Sequence, residues 1–178
     1  MATNNVDLPG QETGILPAPE YAPVKENEQV LLSLGITADH IAALPMIVHT
    51  GAAFLLLEVR TREILQSLQP ALETIRLLSD QYGLSGYCIF YRHTGNQADA
   101  VVRILTAVSN GPAMGHSASA AGALACYLYD IAMIKKDEMV IIHAHSPESP
   151  SSGRMAVHLH IQEGKIFSLQ TGIIEPAR

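Results

Sequence analysis

The chain has 178 residues, 48% of them hydrophobic and 16% charged, which is enough for one domain with a substantial core, or two very small lobes, and excludes a disordered polymer. Its formal net charge is −6 and no basic stripe runs through it, which argues against nucleic acid as a partner. Two cysteines, Cys88 and Cys126, are too few and too far apart for a disulfide scaffold, so a reducing, cytoplasmic setting is expected.

Residues 1–24 are polar and carry Pro9, Pro17, Pro19 and Pro23, a composition that predicts a tail or a strap lying along the domain. The opening "MATNNVDLPGQETG" has neither a basic nor an apolar secretory region, so no signal peptide is expected. Residues 25–178 read as a single domain. "ENEQVLLSLGI" predicts a short helix ended at Gly35, with acidic residues in its first turn, where they oppose the helix dipole. Thr37 in "TADHIAAL" is a capping residue before an apolar turn. "PMIVHT", Gly51 and "AFLLLEV" predict two strands joined by a tight turn. The apolar run "GAAFLLLEV" is far short of the roughly 20 residues that span a bilayer, and no membrane association is expected.

"TREILQSLQPALETIRLLSD" places Ile64, Leu65, Leu68, Leu72, Ile75 and Leu78 at helical spacing, divided by Pro70 at the first turn of a second helix. "GYCIFYRH" and "ADAVVRIL" predict a hairpin over "TGNQ". "GPAMGHSASAAGALACYL" then predicts a small-residue helix reaching Tyr129. "EMVIIHAH", "RMAVHLHI" and "KIFSLQTGII" predict three strands. The order α, ββ, α, ββ, α, βββ, with hairpin-length connections, implies an α+β fold in which a mostly antiparallel sheet wraps a central helix.

Three readings compete for Gly115-His116-Ser117-Ala118-Ser119. As a hydrolase elbow it fails, because Ser119 replaces the final glycine and the preceding strand ends near Leu105, too early to deliver the serine into a turn. As an anion site, Gly115 permits close approach and Ser117 or Ser119 caps a helix whose first N–H groups face a negative ligand. As packing alone, Ser117 is an N-cap and the alanine run lets a helix sit close to a sheet. The last two readings remain open on these residues.

His143-Ala-His145 and His158-Leu-His160 lie on adjacent predicted strands, each pair on one face. Four converging imidazoles would suit zinc, iron or copper, whereas alternating histidines on a solvent face need no metal, and no carboxylate is fixed nearby by spacing. His49, just before Gly51, and His116 are better placed to touch a ligand.

"LLSLGI", "IVHTG", "FLLLEV", the two-part helix to "LLSD", "VVRILTAV" with the small-residue helix, and the trailing "VIIHAHSPESPSSGRMAVHLHI…GKIFSLQTG" resemble the second half of PhzF-like isomerases, over roughly residues 15 to 174. The resemblance implies a diaminopimelate epimerase-like half-barrel, one of two similar halves with an active site between them. It implies cofactor-free proton transfer on a small, carboxylated metabolite. The acidic pair that precedes the helix in the family's second half is missing from Asn110–Ser117, and Gly115-His116 fits the family's first-half Gly-His-Pro turn, with Ser117 in place of proline. The family's catalytic glutamate sits in a Ser-Glu-Thr turn whose analogue here, His49-Thr50-Gly51, has no carboxylate.

These departures make His49 and His116 the candidate acid/base residues, and Gly51, Gly115, Ser117 and Ser119 the candidate substrate-binding residues. An imidazole with an ordinary pKa near 6.5 suits proton transfer. A half-fold implies a homodimer, or pairing with a separate first-half chain. A non-catalytic ligand-binding or assembly module of the same fold, and a metal-binding protein using the two histidine pairs, are the alternatives.

Overall fold

Residues 69 to 71 show how closely the helical layer is tied together: the Gln69 and Ala71 amides donate to the Leu34 and Ser33 carbonyls at the end of the first helix. The computed structural model describes residues 12–92, 95, 98–106, 113–144 and 153–174. In chain order these form β1 (Glu12–Pro17), β2 (Glu20–Pro23), α1 (Asn27–Leu34), a 3₁₀ turn (Ala38–His40), β3 (Met46–His49), β4 (Ala53–Glu58), α2 (Arg62–Gln66) and α3 (Leu72–Tyr82). There follow β5 (Gly86–Tyr91), β6 (Ala100–Leu105), α4 (Ala113–Asp130), β7 (Glu138–His143), β8 (Gly153–Gln162) and β9 (Lys165–Ile174).

Most sequence expectations hold. Gly35, at φ 69°, turns its amide back onto the Leu31 and Leu32 carbonyls and ends α1. Others are corrected. Thr37 opens only a 3₁₀ turn, closed by a capping box with His40. Pro70 does not enter α3: the helix starts at Leu72 after Ala71, because the preceding residues are held extended by the end of α1. Apart from these corrections, residues 12–17 and 20–23, within the segment read as a tail or a strap lying along the domain, form β1 and β2.

The nine strands make one sheet in the order β1-β9-β8-β7-β6-β5-β4-β3-β2. Six of the eight strand pairs are antiparallel, as expected. The connections are not all of hairpin length, however, because β4–β5 and β6–β7 are parallel. Parallel neighbours need a crossover, and α2 with α3 supplies the first while α4 supplies the second.

β1 and β2 lie at opposite edges of this sheet, yet only Ala18 and Pro19 separate them. Three Cα–Cα steps reach at most about 11 Å, so the two edges must come together. The two strands act as one interrupted strand that pairs with β9 through its first half and with β3 through its second. That link rolls the sheet around α4.

α4 packs inside on β1, β3, β4, β7, β8 and β9. Its Ala120, Ala121, Ala123, Leu124, Ala125 and Leu128 are fully buried, facing Phe54, Leu56, Val102, Ile141 and Leu159. The alanine run keeps the helix thin enough for the sheet to wrap it. A second core lies outside the sheet, where Leu55, Leu57, Tyr87 and Ile89 meet α1, α2 and α3 through Val30, Leu34, Leu65, Ile75 and Leu78. β4 is therefore buried on both faces, which is why "AFLLLEV" does not alternate. β8 alternates: Met155, Val157 and Leu159 point inward, and His158 and His160 point outward. Among the described residues no helix is long and apolar enough to cross a membrane.

Candidate functional site

The helix that carries Gly115, His116, Ser117 and Ser119 begins at Ala113. Ser117 is therefore the fifth residue of α4 and not its N-cap. At that depth its amide belongs to the intrahelical ladder, and the free N–H groups are those of the first turn. The side chains of residues 113–117 lie outside the described residues, so those of His116 and Ser117 are not placed. Ser119 is partly buried and engaged by a neighbour. β6 ends at Leu105, eight residues before the helix, so no strand runs directly into an elbow at Ser117.

His49 ends β3, exposed, with Ala53 opposite it on one side and Glu20 on the other. Thr50 behind it is fully buried; its amide donates to the Ala52 carbonyl at 3.1 Å, and its hydroxyl has no hydrogen-bond partner among the described residues. Gly51 takes φ 88°, a left-handed turn conformation strained for other residues, and a Cβ there would lie 3.5 Å from Pro17 Cδ. A Cβ on Gly122 would lie 3.2 Å from Leu16 Cδ1, on the neighbouring residue of β1. The β3–β4 turn thus stands level with the part of α4 around Gly122. Ser119 lies within one helical turn of that level, and Gly115 and His116 lie about two turns before it.

No carboxylate belongs to the turn. The buried carboxylate of β4, Glu58, sits at the other end of that strand, five residues or about 17 Å from Ala53. It is held by Arg92, whose Nε donates to Glu58 Oε1 at 2.7 Å. Near the carboxyl end of α4, the Tyr21 hydroxyl donates to Asp130 Oδ2. Burial, and then the bond to Asp130, push the Tyr21 phenol far above its ordinary pKa. The two thiols are buried, and burial raises both, that of Cys126 to about 12. Neither is a thiolate nucleophile near neutral pH.

Sequence reasoning missed the Glu58–Arg92 and Tyr21–Asp130 pairs. Glu58 was visible as the one charge in an apolar run. Nothing local marks Tyr21, whose partner is 109 residues away.

Among the described residues, His143 does not meet the His158–His160 pair. β7 and β8 are adjacent, but His143 is opposite Gly153 while His158 is opposite Glu138. Five residues of strand, about 17 Å, separate the two places. His145 lies outside the described residues. No group of three or more His, Cys, Asp or Glu side chains able to hold a metal ion occurs among the described residues.

No protein-family model and no curated protein matches the sequence. Solved structures do match. One is a Bacillus anthracis phenazine biosynthesis protein of the PhzF family, 14% identical, with a TM-score of 0.68 over 90% of this chain and 57% of that one. Another is a PhzF-family phenazine biosynthesis protein from Enterococcus faecalis, 16% identical, with a TM-score of 0.53 over 89% of this chain and 52% of that one. The present chain spans little more than half the length of either. Its fold is a PhzF-like, diaminopimelate epimerase-like α+β half-barrel.

Proposed function

We propose that this half-barrel performs a cofactor-free proton-transfer rearrangement, an isomerisation, on a small carboxylated metabolite, as one half of an assembly completed by a second copy of itself or by a separate chain. The observation that carries the reading is the pair of coverages: the likeness takes in 90% of this chain and only 57% of the matched one. A fold made of two such halves needs a second half, and a homodimer supplies it by symmetry.

In this reading the carboxylate of the substrate faces the first turn of α4, where backbone N–H groups and the helix dipole favour an anion. Gly115 and Gly51 let the substrate approach the backbone, and Ser117 and Ser119 add hydroxyl groups. His49 or His116 takes a proton from carbon as the C–H bond breaks, and the imidazolium returns it to a different carbon as the double bond shifts. An imidazole is suited to both steps near neutral pH.

The bare turn His49-Thr50-Gly51 favours a second reading, a binding or assembly module of the same fold without a proton shuttle. Incubation with carboxylated metabolites in D₂O separates the two. Solvent deuterium entering the ligand, and lost in the double variant His49→Ala/His116→Ala, supports the isomerase. Exchange that survives in that variant overturns the assignment of the histidines, and binding without exchange identifies the module. Sedimentation velocity at micromolar concentration is expected to give a dimer. A monomer with no partner chain would overturn the assembly.

A further inference from the structure

We propose that His158 and His160 form a surface site for a divalent first-row transition ion, with Cu(II) bound most tightly. The site is independent of the isomerase reading and lies on another part of the molecule, the outward face of β8.

Three observations carry it. First, the two imidazoles are already gathered. Their ring centroids are 4.9 Å apart with planes inclined at 76°. Two imidazoles that share one ion through nitrogens at about 2.0–2.1 Å place their centroids about 4.5–5.3 Å apart. The pair meets that separation without any backbone movement, because alternate residues of one strand share a face.

Second, a carboxylate stands behind one ring. Glu138 is opposite His158 across the β7–β8 ladder, with its Oε1 3.6 Å from His158 Nδ1. Nδ1 is buried and has no hydrogen-bond partner among the described residues. At 3.6 Å the carboxylate is just outside hydrogen-bond range, and a small rotation of the exposed Glu138 side chain would let Nδ1–H donate to it, leaving the Nε2 lone pair for the ion. In that arrangement a carboxylate would fix the tautomer and ring orientation of a ligating histidine. Glu138 is thus a positioning residue.

Third, there is room for a hydrated ion. His158 and His160 line an open groove of about 370 Å³ together with Asp137 and Phe167. Asp137 adds negative charge to a chain whose net charge is already −6. With two protein nitrogens the other coordination positions belong to water, so the ion exchanges freely and the site is not a structural one. Imidazole ligands suit copper, nickel and zinc, and the general affinity order puts Cu(II) first.

Tag-free full-length protein is titrated calorimetrically with Cu(II) and with Zn(II) in a non-coordinating buffer near neutral pH. One site is expected, with Cu(II) tighter. His158→Ala and His160→Ala should each weaken it by more than about tenfold, and Glu138→Gln by about tenfold or less. The control His143→Ala/His145→Ala should leave it unchanged. Equal stoichiometry and affinity in wild type and the His158→Ala/His160→Ala variant would overturn the proposal. Should a variant misfold, substoichiometric Cu(II) added to the wild-type protein decides by NMR. Selective broadening of the His158 and His160 ring resonances supports the site, and earlier broadening of other histidines sinks it.

Discussion

The Tyr21 hydroxyl donates to Asp130 Oδ2 at 2.5 Å and lies 3.1 Å from the Cys126 carbonyl, binding the strand that joins the two sheet edges to the last turns of the buried helix. Removing that hydroxyl deletes a hydrogen bond to a charged group and leaves the Cys126 carbonyl without this contact. Tyr21→Phe is expected to lower stability by about 1.5–3 kcal/mol in urea denaturation, the range for a bond to an ion. A loss under about half a kcal/mol would mean that the sheet edges are held by β1 and β2 pairing alone.

The buried acids that stay neutral in the fold set its alkaline limit. Burial raises Cys88, Tyr87 and Tyr127, and takes Cys126 up to about 12. In the unfolded chain the thiols ionise near about 8.5, so the unfolded state releases protons first. Stability is therefore complete below that pH and falls as pH rises toward 12. Urea midpoints measured from neutral to alkaline pH should decline across that window, and Cys126→Ser should flatten part of the decline. Both thiols should stay unreactive to a thiol reagent until the protein unfolds.

Gly122 and Gly86 are places where a single methyl group is felt. A Cβ on Gly122 would sit 2.6 Å from Leu169 Cδ1, and one on Gly86 would sit 2.8 Å from the Leu105 carbonyl oxygen. Gly122→Ala gains about 1 kcal/mol of helix propensity but overpacks the core, for a net loss of about 1 kcal/mol. Gly86→Ala meets backbone, which cannot rotate away, and should cost more, about 2–3 kcal/mol. Thermal or urea unfolding of the two variants checks the order.

Glu58 and Arg92 form an asymmetric pair. The carboxylate side chain is 9% exposed and the guanidinium 44%. Losing the cation strands a buried charge, whereas neutralising the acid leaves a solvated arginine. Arg92→Ala is expected to destabilise by about 1–3 kcal/mol, below the cost for a fully buried pair because Arg92 reaches solvent, and Glu58→Gln by less. The reverse order would show that Glu58 is held chiefly by neighbours other than Arg92.

Thr50 offers a test of the turn beside His49. Its buried hydroxyl has no hydrogen-bond partner among the described residues, so Thr50→Val removes a polar atom at little cost. Stability within about 1 kcal/mol of wild type is expected. Should ligand binding fall in the same variant with stability unchanged, the turn that carries His49 and Gly51 belongs to the ligand site.

The sequence by itself determined which segments become strands and helices, because hydrophobic period, capping residues and glycine stops act over a few residues. Gly35 ends α1 as its left-handed conformation requires, and the alternation of Met155, Val157 and Leu159 with His158 and His160 gives β8 its two faces. The wrapping of a small-residue helix by a mostly antiparallel sheet was legible for the same reason, since an alanine-rich apolar run needs close neighbours on all sides.

Partners distant in sequence were decided only in three dimensions. The register of β7 on β8 separates His143 from His158, and no local period fixes register. Starting α4 at Ala113 removes Ser117 from the cap, since the last residue of a loop and the fifth of a helix look alike in sequence. The joining of both sheet edges by one interrupted strand, and the Tyr21–Asp130 bond across 109 residues, follow from closure of the sheet on α4. Closure is a property of the whole sheet, and no segment of the sequence contains it.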